Sequence, residues 1–281
     1  MRTSQENTGS RPPRSGSRLV AFGTSLPELV VTSEAFRRGN YAIGTGNIIG
    51  STIANIGLIL GIVGLLMPSV CTVPASRLRL LENALLTLAA TLIFVLFAVR
   101  GFFDFLSGMV FLVIFALILY RMLIHNAEMV SSSTTSIRYP LLVTIAGLAM
   151  VVIGAELLLA GAETIATILS IPPLVIGLSM VAVGTSLPEL ATSVVAAIQK
   201  SPGISIGNIL GSNSFNLLFV IGLNSLFFTI PVPEMKDSIV MTVFTMAIFV
   251  LFIRKICETR VWGIMLLGAY LVYILFVYGI V

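Results

Sequence analysis

Two glutamates stand out in a chain that is otherwise mostly apolar. Glu28 and Glu189 each follow a proline by one residue, in GTSLPEL at 23–29 and again in GTSLPEL at 184–190. A proline inside a helix has no N–H, so the carbonyl four residues earlier loses its partner and the turn is pushed open. Pro27 frees the carbonyl of Gly23 in this way, and Pro188 that of Gly184. Beside each break stand two hydroxyls, Thr24 and Ser25 in one copy and Thr185 and Ser186 in the other. Hydroxyls, freed carbonyls and one carboxylate form an all-oxygen donor set, which suits hard cations such as Ca²⁺ and Na⁺. Ca²⁺ takes about six to eight oxygens, so neither stretch is sufficient alone and two would complete a cage. Two carboxylates would also balance a divalent charge, offsetting the ~2.5–3.5 kcal/mol that a lone charge costs at the centre of a membrane helix.

A second motif follows each of the first. GNIIGSTIANIG at 46–57 and GNILGSNSFNLLFVIG at 207–222 place Ser51 four residues before Asn55 and Ser212 four residues before Asn216. Side chains at that spacing share a helix face. They would add neutral oxygens to a cavity, or tie neighbouring helices together by hydrogen bonds, a common use of such residues in membranes. The glycines permit close helix approach.

The elements that must carry these residues are membrane helices. Hydrophobic residues make up 57% of the 281, charged residues only 10%, and the mean hydropathy is +1.07. A soluble domain needs about a quarter charged residues, so the composition excludes that class. Apolar stretches near spanning length lie at 42–66, 82–99, 102–120, 140–168, 172–198, 203–230, 237–253 and 261–281, and the first motif at 19–36 forms a shorter ninth segment. The fold class expected is an all-α polytopic membrane protein.

Its two halves repeat. Gly23, Glu28, Asn47, Gly50, Ser51 and Asn55 recur as Gly184, Glu189, Asn208, Gly211, Ser212 and Asn216 at one constant offset, with no gap. The two motif helices lie an odd number of spans apart and so cross the bilayer in opposite directions. That is the inverted-repeat plan of secondary transporters, with a site at the midplane. Loop charge gives the orientation. Arg77, Arg79, Arg121, Arg138, Lys200, Arg254, Lys255 and Arg260 fall on one side, against Arg37, Arg38, Arg100 and Lys236 on the other. The richer side is expected to be cytoplasmic, which puts the C-terminus outside.

The first repeat is expected to be incomplete. Upstream of Gly184 stand a full helix and IPPLVIGLSMV at 171–181, whereas the matching residues 10–20 read SRPPRSGSRLV, polar and basic. The expected organisation is a polar tail at 1–18, an incomplete first repeat at 19–120, a cytoplasmic connector at 121–139 and a second repeat at 140–281. The missing helix points to a misassigned or rearranged start, or a fragment; otherwise the mature chain begins this way. An in-frame apolar helix encoded upstream of Met1 would reveal a misplaced start. The tail has no apolar core of a signal peptide.

Together, GTSLPEL twice, GNIIGSTIAN and GNILGSNSFN resemble the sodium/calcium exchangers of the calcium/cation antiporter superfamily, in their compact prokaryotic form. The resemblance runs from about residue 19 onward. It implies ten helices in two inverted repeats of five, about nine of them present here, and export of Ca²⁺ in exchange for Na⁺ by alternating access at an inner membrane. Carried over by motif, Glu28 and Glu189 bind Ca²⁺ with the backbone carbonyls of Thr24 and Thr185. Ser25, Ser51, Asn55, Ser186, Ser212 and Asn216 line flanking Na⁺ positions, joined by the carbonyls of Ala21 and Ala182. Asn216 stands where several relatives, the potassium-dependent branch included, have aspartate, which points to potassium-independent exchange. The absent first helix belongs, in the family, to the pair of long helices that gate access.

Two other functions stay open on sequence: a cation/proton antiporter of the same superfamily, and a truncated pseudo-transporter that binds without carrying. A serine hydrolase does not. Serine needs a base to activate it, and the only histidine, His125, lies in a polar loop. Glu156 and Glu163, two turns apart on one helix face, suit helix packing or a gate. Cys71 and Cys257 have no metal-ligand spacing. No cofactor is read from the sequence, and the net charge of +4 suits anionic lipid rather than nucleic acid. The partners expected are Ca²⁺, Na⁺ and lipid, with a monomer plausible.

Overall fold

A computed structural model describes residues 23–67, 74–124, 140–199, 201–232, 235–254 and 259–280. The tail 1–18, Ala21, His125, both cysteines and most of the connector lie outside the described residues.

Helix α1 (Leu26–Arg37) begins where the backbone of Ser25 turns off the helical path, at φ −89° and ψ 8°. Pro27 falls in its first turn, where a missing N–H has no partner to lose. After Gly39, whose positive φ of 79° makes a tight corner, α2 (Tyr41–Leu66) runs back through the molecule. Then come α3 (Pro74–Ala98), α4 (Phe105–Ile124) and α5 (Pro140–Ile168). The second motif helix is broken as the first is. α6 (Pro173–Thr185) and α7 (Leu187–Ile198) meet at Ser186 with a bend of 47°. α8 (Gly203–Ser225), α9 (Met235–Ile253) and α10 (Val261–Val277) complete the chain.

Each apolar stretch expected from the sequence contains a helix. Among the described residues five single helices are long and apolar enough to cross a membrane, with the bent pair α6–α7 making a sixth, while Phe105–Arg121, within α4, and α10 are shorter apolar helices. The stretch expected at 102–120 departs from a helix at its start. Phe102–Phe103 form strand β1, which pairs antiparallel with β2 (Ile230–Pro231). Asp104 then caps α4: Oδ1 accepts the Ser107 amide at 2.9 Å and the Ser107 hydroxyl at 2.6 Å, and Arg100 reaches Oδ2 at 2.8 Å. Those donors hold the Asp104 carboxyl well below the usual aspartate range.

The two halves are inverted copies in a membrane fold. α2 and α8, which correspond by the repeat offset, are the most buried of these spans and contact each other. They pack through a large apolar core with α3, α4, α9 and α10, holding Phe94, Phe103, Phe111 and Trp262. α5 stands apart. Its most apolar window is mostly exposed. It touches α1 and α6 through a separate small cluster, with Ala155, Leu159, Ala162 and Ala166 against Val31, Ala35, Ile176 and Val181. Residues at those spacings line one helix face, and their small size leaves a shallow ridge.

Close approach of α2 to α6 depends on missing side chains. A Cβ on Gly50 would sit 2.4 Å from the carbonyl oxygen of Leu178, and one on Gly46 would sit 2.9 Å from that of Leu174. Backbone therefore meets backbone where the two halves join.

Candidate functional site

The breaks at Ser25 and Ser186 aim both GTSLPE stretches at one place. Glu28 and Glu189 open α1 and α7, and both are fully buried. Each is held by the other half. Ser25 Oγ donates to Glu189 Oε1 at 2.7 Å, and Ser186 Oγ donates to Glu28 Oε1 at 3.2 Å. Ser212 Oγ, from α8, also donates to Glu189 Oε1 at 3.2 Å. The second oxygen of each glutamate, Oε2, is buried and has no hydrogen-bond partner.

Neutral oxygens surround the pair. Ser51 Oγ donates to the Ala182 carbonyl at 3.3 Å and lies 3.4 Å from Thr185 Oγ1. The Ala182 carbonyl also accepts the Thr185 hydroxyl at 3.2 Å and the Ser186 amide at 3.1 Å. Asn55 Nδ2 donates to Asn213 Oδ1 at 2.8 Å, leaving Asn55 Oδ1 without a partner. Asn216 is fully buried with neither Oδ1 nor Nδ2 hydrogen bonded. Unmade bonds of this kind are expensive in a buried setting. Four of the expected ligand residues thus carry unpartnered polar atoms, as a pocket for an oxygen-seeking guest would leave them.

Among the described residues no three His, Cys, Asp or Glu side chains converge as in a resident metal centre. The residues around the two glutamates offer two carboxylates and neutral oxygens, a set that fits a hard cation. Of the twelve residues expected to serve it, eleven are described. Ser25 and Ser212 donate to Glu189, Glu28 joins Ser186, Ala182, Thr185, Ser51 and Asn47 in a second run of hydrogen bonds, Thr24 donates to Asn208, and the Asn216 amide bonds none of them. Asn55 is joined to Asn213 beside them.

Sequence reasoning missed several members. Asn47 and Asn208 recur with the motif, yet no role follows from recurrence alone. Their hydrogen bonds to Thr32 (3.0 Å) and Ser193 (3.3 Å) bring in residues whose types differ between the copies. Asn213 was missed because its counterpart is Thr52. Helical spacing also did not reveal the π turns at Asn55–Ile59, Phe215–Val220 and Gly177–Val181. Such bulges widen a helix by one residue and are frequent at functional sites.

Comparison with known proteins identifies the family. The sodium/calcium exchanger protein family matches residues 4–124 and 139–279. The chain belongs to the sodium/calcium exchanger family. Relatives of this exchanger-family chain include an uncharacterized membrane protein of Methanocaldococcus jannaschii, 33% identical over 92% of this chain and 84% of that protein. The sodium/calcium exchanger MaX1 of Methanosarcina acetivorans is 28% identical over 94% of this chain and 88% of its own. The solved structure of the sodium-calcium exchanger NCX_Mj, soaked with Na⁺ and Sr²⁺, is similar at a TM-score of 0.72 and 32% identity, covering 92% of this chain and 85% of that one. The family is one of cation-exchanging membrane transporters, not enzymes.

The two acids assigned above to packing or gating also find partners. Arg38, at the corner between α1 and α2, contacts Glu34 at 2.7 Å, Glu163 at 3.6 Å, and Glu156. Asn40 Nδ2 donates to Glu163 Oε1 at 2.5 Å. Glu156 and Glu163 therefore fasten α5 to the α1–α2 corner.

Proposed function

We propose that this chain is an antiporter that exchanges Na⁺ for Ca²⁺ by alternating access, with one pocket between the two GTSLPE stretches. Glu28 and Glu189, with the backbone carbonyls of Thr24 and Thr185, take Ca²⁺. Ser25, Ser51, Asn55, Ser186, Ser212 and Asn216 line flanking Na⁺ positions with the carbonyls of Ala21 and Ala182. The observation that carries this reading is the crossed pair of bonds, Ser25 to Glu189 and Ser186 to Glu28, each leaving a buried carboxylate oxygen without a partner. One occupant then draws on both halves. A site shared between inverted copies is one that a rocking motion can present to either side.

Two carboxylates neutralise one Ca²⁺ or two Na⁺, so the two loads compete for the same oxygens. Residues 19–120 form the first repeat and 140–281 the second. The chain sits in the cytoplasmic membrane with 121–139 inside and the C-terminus outside.

The test is Ca²⁺ uptake into vesicles holding the purified protein, driven by a Na⁺ gradient with the pH difference clamped. Uptake that follows the Na⁺ gradient supports the reading. Uptake that follows only a proton gradient replaces it with cation/proton exchange, and Ca²⁺ binding with no flux replaces it with a pseudo-transporter.

A further inference from the structure

We propose that Asn47 and Asn208 are positioning residues that turn the pocket's hydroxyl oxygens toward the cation, and that Thr32 and Ser193 hold them in that setting. The inference rests on the pocket being a cation site.

Asn47 is fully buried and joins three helices. Its Nδ2 donates to Thr32 Oγ1 on α1 at 3.0 Å. Its Oδ1 accepts from Thr185 Oγ1 on α6 at 3.0 Å and from Ser51 Oγ on its own helix at 3.4 Å. The other half repeats the bonds to the outer hydroxyl and to the GTSLPE threonine, while Ser212 donates to Glu189. Asn208, also fully buried, donates from Nδ2 to Ser193 Oγ at 3.3 Å and accepts from Thr24 Oγ1 at 3.3 Å. Threonine stands in one copy and serine in the other, so what the repeat keeps at that position is the hydroxyl rather than the shape.

A side-chain amide has a donor end and an acceptor end. With Nδ2 engaged at Thr32, Oδ1 faces Thr185 and Ser51. The Ala182 carbonyl is the other group beside both hydroxyls, and it too can only accept. The single hydrogen of each hydroxyl is therefore drawn toward Asn47 or Ala182, and the lone pairs of Thr185 and Ser51 remain for the pocket. A cation binds lone pairs. With the amide reversed, an N–H would occupy a hydroxyl lone pair and send a hydrogen the other way. Carboxylates only accept, so Glu28 and Glu189 are indifferent to this setting. The Na⁺ positions, built on hydroxyls and carbonyls, are not.

The test measures Na⁺-driven Ca²⁺ uptake and Ca²⁺ binding for Thr32→Val, Thr32→Ser and Asn47→Leu. Valine keeps the shape of threonine and removes the acceptor for Nδ2. Outer partners of bound metals change affinity by about 10- to 100-fold when removed. Thr32→Val is expected to raise the half-saturating Na⁺ concentration by about 10-fold, with a smaller change in Ca²⁺ binding and in maximal rate. Thr32→Ser, which keeps the hydroxyl as Ser193 does, is expected to rescue the valine defect. Asn47→Leu should show the same Na⁺ defect, more strongly. If Asn47→Leu does not fold, the Thr32 pair decides alone. Equal impairment of Thr32→Ser and Thr32→Val, or a valine variant with wild-type Na⁺ dependence, overturns the inference and leaves the cation site standing. Wild-type protein that shows no Na⁺-driven uptake overturns both.

Discussion

At the residue scale, four of the proposed ligand residues carry buried polar atoms that lack partners. Asn216 is the clearest, since both polar atoms of its amide are buried and unbonded. Leaving a buried polar group unmet costs about 1–3 kcal/mol, and removing it can stabilise a fold. Asn216→Leu is therefore expected to hold or raise thermal stability in ion-free detergent while lowering transport. Loss of stability together with transport would assign Asn216 to packing. The glutamates, the hydroxyls beside them and Asn216 itself were legible from type and spacing, because a carboxylate beside a helix-breaking proline has few uses in lipid. Thr32, Ser193 and Asn213 were not. Threonine against serine and threonine against asparagine look like ordinary variation until the coordinates place them against Asn47, Asn208 and Asn55.

At the scale of elements, close contact and an ionic tether set what each helix can do. Gly50→Ala pushes a methyl against the Leu178 carbonyl of α6, where backbone must move. A loss of about 1–3 kcal/mol is expected, as for other overpacked sites, read as a lower melting temperature. Gly154→Ala on α5 meets open space and should melt like the wild type. Arg38→Gln leaves Glu34, Glu156 and Glu163 facing one another without their shared cation. Faster hydrogen exchange along 153–165, with the α2 core unchanged, is the expected outcome. Unchanged exchange there would mean the apolar cluster alone holds α5. Spacing placed Glu156 and Glu163 on one face but could not name their partner, which lies more than a hundred residues away across a chain turn. Nor could it show the strand at Phe102–Phe103, too short for a periodic signal and set by pairing with Ile230–Pro231.

For the whole molecule, inversion is the organising fact: the constant offset made the repeat readable, and the odd number of spans between the copies made its inversion readable. The crossed hydrogen bonds express it physically, since each half completes the other's carboxylate. The proposed orientation in the bilayer rests on loop charge. A reporter enzyme active only outside the cytoplasm is expected to be active when fused after Val281 and inactive when inserted in the 121–139 connector. The reverse pattern would invert the topology.

That one pocket is shared by both repeats is the heart of the proposed function. It is tested most directly by Ca²⁺ titration and Na⁺-driven Ca²⁺ uptake for Glu28→Gln and Glu189→Gln, each made singly. Taking one partner from a buried charged site costs about 3–5 kcal/mol, or more than about 100-fold in affinity. The wild type is expected to bind one Ca²⁺ per chain. Either single substitution, in protein that still folds, should abolish both binding and uptake. Two independent Ca²⁺ sites, or one glutamate variant that transports at the wild-type rate, would contradict it.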